Sequence, residues 1–148
     1  MVKYKEIHKA IVNKIKSKFE DIEVTSTDVA EGITRPSFFI SFDNLKATDF
    51  MNEALDREIT VRLYYFPRDK HKNKIELLNM QDDLNDLFLK DNTLKINQCT
   101  NAEIEELALD IVDKVLHCYF DLRLSEEYDR SEQEHEVENI EELQIGRI

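Results

Sequence analysis

The sequence predicts an α+β domain: a mainly antiparallel sheet with two helices packed on one face, followed by an acidic C-terminal extension. Three observations predict it. Apolar residues recur every three to four positions in two separate segments, the helical period, while others alternate strictly, the strand period. The order is helix, strands, helix, strands, with no regular β-α-β alternation that would imply a parallel sheet. Finally, the hydrophobic pattern stops near Tyr128, beyond which acids dominate.

Residues 3–19 place Ile7, Ile11 and Ile15 four apart, with Val12 and Phe19 beside them and lysines opposite, which is an amphipathic helix. Residues 21–25 are read as a short strand and 26–34 as a polar loop around Gly32. Pro36 disfavours helix at Arg35 and starts an extended segment, residues 37–43, in which Phe38, Ile40 and Phe42 alternate with Phe39, Ser41 and Asp43. Residues 44–55 show no period and are assigned to a connection. In residues 56–66, Ile59, Val61, Leu63 and Tyr65 share one face of a strand, and Glu58, Thr60, Arg62, Tyr64 and Phe66 share the other. Aromatics on both faces at that end imply cover on both sides, by the fold or by a partner.

Pro67 and the run Arg68, Lys70, His71, Lys72, Lys74 form an exposed basic turn, and a second helix is expected over residues 73–90, with Leu77, Leu84 and Phe88 in register and Leu78 and Leu87 flanking them. The C-terminal third reads as an antiparallel sheet of residues 93–98, 103–112 and 115–124. Leu116, Cys118, Phe120, Leu122 and Leu124 give the strongest alternation in the chain, and Asp113-Lys114 is the expected two-residue turn. The domain is therefore expected to span residues 1–128 and the extension 129–148. Its apolar residues Ile140, Leu143, Ile145 and Ile148 are too few for a core but enough to dock on a partner.

With 148 residues and 41% hydrophobic content, the chain can fill one core. No apolar run is long enough to span a bilayer, and no signal peptide is recognised, so no membrane partner is expected and the chain is placed in the cytoplasm where it is made. Cys99 and Cys118 form no CxxC pair, and both are expected reduced, Cys118 buried. The net charge of −12, from 32 acids and 20 bases, argues against general attraction to nucleic acid. The same charge suits a conduit through which DNA slides without sticking.

No catalytic or cofactor motif stands out, and no enzymatic role, cofactor or metal is assigned. His8 reads as a partly exposed helix residue and His71 as solvated. His117 and Cys118 are neighbours on a strand and point to opposite sides, which rules out a local nucleophile pair. His135, between Glu134 and Glu136, lacks the second fixed ligand of a zinc site. Asp82 and Asp86, one helical turn apart with Asp83 between them, read as a charged outer face.

One stretch says more. Gly32-Ile33-Thr34-Arg35-Pro36-Ser37-Phe38-Phe39-Ile40 resembles the G-x-x-R-P-S-F-F-I segment of a family of phage tail-terminator proteins, and the order of elements over roughly residues 3–125 is similar too. Pro36, Ser37, Phe38 and Ile40 have a sufficient local explanation as the start of a core strand. Arg35 does not, and two partners stand open for it: a carboxylate within the domain or one across a subunit boundary. The resemblance implies a structural virion protein, assembled in the host cytoplasm. It would form a ring of copies, hexameric in the family, at the head-proximal end of the tail tube. There it would end tube polymerisation and present a face to the neck. The implied partners are other copies of the chain, the tail tube protein, a neck or head-tail connector protein and, in a contractile tail, the sheath protein, with DNA only as cargo passing through the lumen. Residues 44–55 and the charged termini are the expected contact sites. Another neck or head-completion connector is the nearest competing reading, and an acidic inhibitor mimicking DNA a more distant one. Against the mimic, nine acids and only two arginines follow Leu124, so seven of the twelve net negative charges sit in one terminal stretch.

Overall fold

The first helix forms as its stripe requires. In the computed structural model, which describes residues 2–25 and 34–127, α1 spans Tyr4–Lys18 and buries Ile7, Ala10, Ile11 and Ile15. The Glu6 carboxylate accepts the Lys3 backbone N–H at 2.7 Å, occupying one of the donors a helix start leaves open. The strand β1 (Glu23–Thr25) follows as expected. All but one residue of the loop assigned to 26–34 lies outside the described residues, as do Tyr128 and the whole of 129–148.

Five strands form the main sheet in the order β1-β2-β3-β7-β6, with β2 Ser37–Phe50, β3 Ala54–Phe66, β6 Ala108–Val112 and β7 Val115–Glu127. All its pairings are antiparallel except that of β1 with β2, so the sheet is mixed but mainly antiparallel. Cross-strand register puts Phe38, Tyr65 and Leu116 in one row and Ile40, Leu63 and Cys118 in the next, all on the buried face. Each such fully buried Ile, Leu or Phe contributes about 1.5–3 kcal/mol. Both helices cover this face: Phe19 of the α1 C-terminus packs on Phe38 and Phe88 on Phe120, with ring centroids 5.4 and 5.0 Å apart. Lysines tie the helical layer together. Lys14 Nζ donates to the carbonyls of Asp91 and Thr93, and Lys18 Nζ donates to the Asp83 carbonyl at 3.0 Å, next to the start of the π turn.

Three expectations need correction. Residues 44–55 are not a connection: β2 continues to Phe50 and turns through residues 51–53 into β3. A bulge explains the missed strand. Asn44 has φ 52° and the register shifts between Asp43 and Lys46, so the alternation before and after is out of phase. Residues 44–49 are also all exposed, so neither side selects apolar residues.

The second correction concerns the C-terminal third, which is not one sheet. The expected strand 93–98 shortens to β4 (Thr93–Lys95), and the expected strand 103–112 divides into β5 (Asn101–Glu103) and β6. Among the described residues β4 and β5 pair only with each other. Leu94, Ala102 and Ile104 belong to the helical side of the core, and Asn97 Oδ1 accepts the N–H groups of Cys99 and Thr100, closing a local turn.

Lastly, the helix expected over 73–90 is α2 (Lys74–Asn85) continued by one π turn, Asp86–Lys90, which brings both Leu87 and Phe88 inward. Leu78, expected beside the buried stripe, is 47% exposed. The Asp113-Lys114 turn is as expected, both residues having positive φ, the hand a two-residue hairpin needs.

Candidate assembly surface

Because a strand sends alternate side chains to opposite sides, the residues interleaved with the core form a second face, and among the described residues no helix covers it. Register decides what meets there. Phe39, Tyr64 and His117 lie in one row across β2, β3 and β7, with ring centroids 5.9 and 4.7 Å apart. In the next row Arg62 stands between Ser41 and Tyr119. Its Nε is 3.1 Å from Asp43 Oδ2, and its guanidinium lies 5.4 Å from the Tyr119 ring. Beyond it, Thr60 donates to Asp121 at 2.7 Å. The face is half-exposed throughout: aromatic at one end, charged at the other, the kind of surface that rigid protein contacts use.

The residues of the Arg35 motif divide between the two faces. Ser37, Phe38 and Ile40 are buried, Phe39 joins the aromatic row, and Pro36 precedes the strand. Arg35 Nη1 donates to the Pro67 carbonyl at 3.1 Å and its guanidinium lies 5.9 Å from the Phe66 ring. Among the described residues no carboxylate pairs with Arg35. Gly32 and Ile33, His135 and the docking residues Ile140, Leu143, Ile145 and Ile148 lie outside the described residues. Asp82 is exposed on α2, and Asp86 sits 4.0 Å from Lys18.

Titration behaviour follows the two faces. His117, on the open face, is held below its ordinary value by partial burial and by the Arg62 charge, against the opposite pull of Asp110 and Asp113. Cys118, on the core face, is pushed up to about 12 by burial alone. A buried neutral thiol and a histidine pointing the other way make no nucleophile, which is the geometry the alternation predicts.

The two ends of the sheet differ in charge. At one end, the loop after β3 and the β6–β7 turn lock together: Asn73 Nδ2 donates to the carbonyls of Asp69 and Lys114, and Lys114 Nζ donates to that of His71. Asp69 accepts the His71 and Lys72 N–H groups, which holds its carboxyl below the usual range. Glu76 accepts the Tyr65 hydroxyl and the Arg68 N–H, and burial together with Glu76 raises the tyrosine. Arg68, Lys70, Lys72 and Lys74 stand exposed at this end, none in an ion pair among the described residues, and outnumber the exposed carboxylates of Asp69 and Asp113 beside them. At the opposite end Asp49, Glu53, Asp56 and Glu127 are exposed, and β7 runs into the acidic stretch.

Sequence reasoning placed Arg62 and Tyr119 on polar faces without bringing them together; only the β3–β7 register does that. The family comparison supplies the context for this surface. Residues 6–135 match the profile of a family described as phage tail terminator protein. The chain belongs to that family. No curated protein matches the chain. A tail terminator is a structural part of a phage tail, so this one is a virion component whose surfaces meet other tail or neck proteins, and its family points to a non-enzymatic role. No described helix is long and apolar enough to cross a membrane.

Proposed function

We propose that this tail terminator closes the head-proximal end of the tail tube as a ring of copies, a hexamer, that stops tube polymerisation and offers its other face to a neck protein. The family match over residues 6–135 carries the reading. Physically, a terminator must complement the last tube ring on one side without recreating a tube-like surface on the other, and its ring needs head-to-tail contacts whose rotation closes. An open sheet face with fixed aromatic and ionic rows and a net charge of −12 suit such a part, through whose lumen DNA passes as cargo.

In this reading residues 1–128 form the ring body, and residues 129–148 are a separate acidic contact arm bearing Ile140, Leu143, Ile145 and Ile148. In a contractile tail the outer rim would meet the sheath protein. Arg35, half-exposed beside Phe66, is a candidate subunit contact, and Phe39 on the open face is another. Mixing the purified protein with polymerising tube subunits tests the reading: electron microscopy should show it at tube ends, with tube length fixed. Tubes that elongate unchanged, with the protein bound to neck components instead, would assign it to the connectors. Arg35→Ala should weaken binding at tube ends; normal assembly by that variant removes Arg35 from the interface.

A further inference from the structure

The basic end of the sheet carries more than charge. Immediately after Lys74, the first two turns of α2 expose Ile75 (68%) and Leu78 (47%), one helical turn apart, while Glu76 and Leu77 face inward. Two exposed branched aliphatic side chains beside Arg68, Lys70, Lys72 and Lys74 make an amphipathic patch, apolar with a cationic rim. Nucleic acid would use the cations and leave Ile75 and Leu78 idle. An acidic segment that also carries isoleucines and leucines uses both.

The chain contains such a segment. Residues 129–148 hold seven acids against two arginines, with Ile140, Leu143, Ile145 and Ile148 among them. They continue from β7, which starts beside the basic patch at Val115 and ends at Glu127, at the far end of the sheet. Thirteen strand residues separate the two ends by about 40 Å. Copies arranged head to tail bring one copy's β7 end next to the following copy's basic end, whereas within one copy the segment would have to retrace the whole sheet. Such an end-to-end contact joins two different patches, which is the type of contact a closing ring uses.

We infer that residues 129–148 of one copy dock on the basic, Ile75- and Leu78-bearing end of the next copy. This deepens the ring reading by naming one of its subunit contacts. Coulomb attraction orients two copies that otherwise repel through their net charge, and the aliphatic side chains fix the bound segment against the patch.

The test uses the full chain. Equal amounts of unlabelled and nitrogen-15-labelled protein are mixed and treated with a zero-length carbodiimide cross-linker, and the linked peptides are read by mass spectrometry. Links from Lys70, Lys72 or Lys74 to carboxylates of residues 129–148 should appear between differently labelled copies. Links confined to a single copy, or links from those carboxylates only to other lysines, overturn the docking. Lys70→Glu, Lys72→Glu and Lys74→Glu together should cut self-association about tenfold, since several exposed ion pairs reverse at once. So should Glu134→Lys, Glu136→Lys and Glu138→Lys together. All six substituted positions of the two triple variants lie on the exposed patch or beyond β7, and far-ultraviolet circular dichroism should show the folded spectrum. Mixing the two triple variants should restore linking between them, which only contact between copies can do; failure to restore it overturns the inference. If patch reversal instead abolishes binding of duplex DNA and leaves self-association unchanged, the patch is a phosphate site and the docking is wrong. Docking without closed rings sinks the ring alone. Rings that close equally well with the patch reversed sink the docking alone.

Discussion

Arg57 offers the sharpest test of how the sheet's far end is held. It sits on the core face of β3, its side chain 5% exposed, in an ion pair with Glu126 of β7, itself 11% exposed. Glu126 also accepts the Val2 backbone N–H at 2.9 Å, and the Tyr4 ring lies 5.3 Å from the guanidinium, so the pair joins the N-terminal segment to the last turn of the sheet. Among the described residues Arg57 Nε has no hydrogen-bond partner, so the guanidinium has lost water it does not fully replace. Removing one partner of a buried pair leaves an uncompensated charge and costs about 3–5 kcal/mol. Arg57→Ala should fall at the lower end, about 3 kcal/mol, because Glu126 keeps the Val2 hydrogen bond and some contact with water. In a chain of this length that lowers Tm by about 10 °C. Replacing both partners, Arg57→Met with Glu126→Leu, restores burial without charge and should come within about 1 kcal/mol of the parent. Urea denaturation of the parent, Arg57→Met, Glu126→Leu and the double variant gives the coupling directly. A loss below about 1 kcal/mol for Arg57→Ala would refute the reasoning, because it would mean the pair behaves as a solvated surface ion pair.

Further expectations follow from the two faces and the turns. At pH 8 a disulfide thiol reagent should modify Cys99, which is exposed, while Cys118, buried and pushed up to about 12, should react only on unfolding; two fast-reacting thiols in the native protein would show that the core is open. His117 titrates below the ordinary histidine value of 6.5 in the folded chain, so the unfolded chain takes up this proton first as pH falls. Its contribution to stability is therefore complete above about pH 6.5 and is lost as pH drops through the lowered folded value. His117→Gln should flatten the change of urea midpoint between pH 7 and 5, and an unchanged slope would show that the open face does not perturb this histidine. Met51, 79% exposed with φ 53°, holds the left-handed region that glycine occupies without strain. Met51→Gly should stabilise the hairpin by about 0.5 kcal/mol in thermal denaturation; destabilisation would mean the Met51 side chain makes contacts that this turn does not show.

The sequence by itself determined the elements that have one wet face and one dry face. The Ile7-Ile11-Ile15 stripe, the Ile59-to-Tyr65 alternation and the Leu116-to-Leu124 alternation are each legible because burial on one side only imposes a period. The opposite facing of His117 and Cys118 follows from the same geometry. Where that condition fails, so does the pattern. The ribbon is exposed over residues 44–49 and bulged at Asn44, so its pattern reads as a connection. β5 and β6 read as one strand because Ala102, Glu103, Ile104 and Glu105 keep the strand alternation up to the point where the chain leaves one sheet for another. The candidate surface divides the same way. The motif around Arg35 and the acidic charge after Leu124 are local in sequence and could be read there. The Phe39-Tyr64-His117 row, the Arg62 contacts, the Arg57–Glu126 pair and the isolation of Ile75 and Leu78 beside the basic turn depend on which strands and loops become neighbours. Tertiary structure alone decides that, because cross-strand register joins residues dozens of positions apart whose local pattern carries no record of their partners.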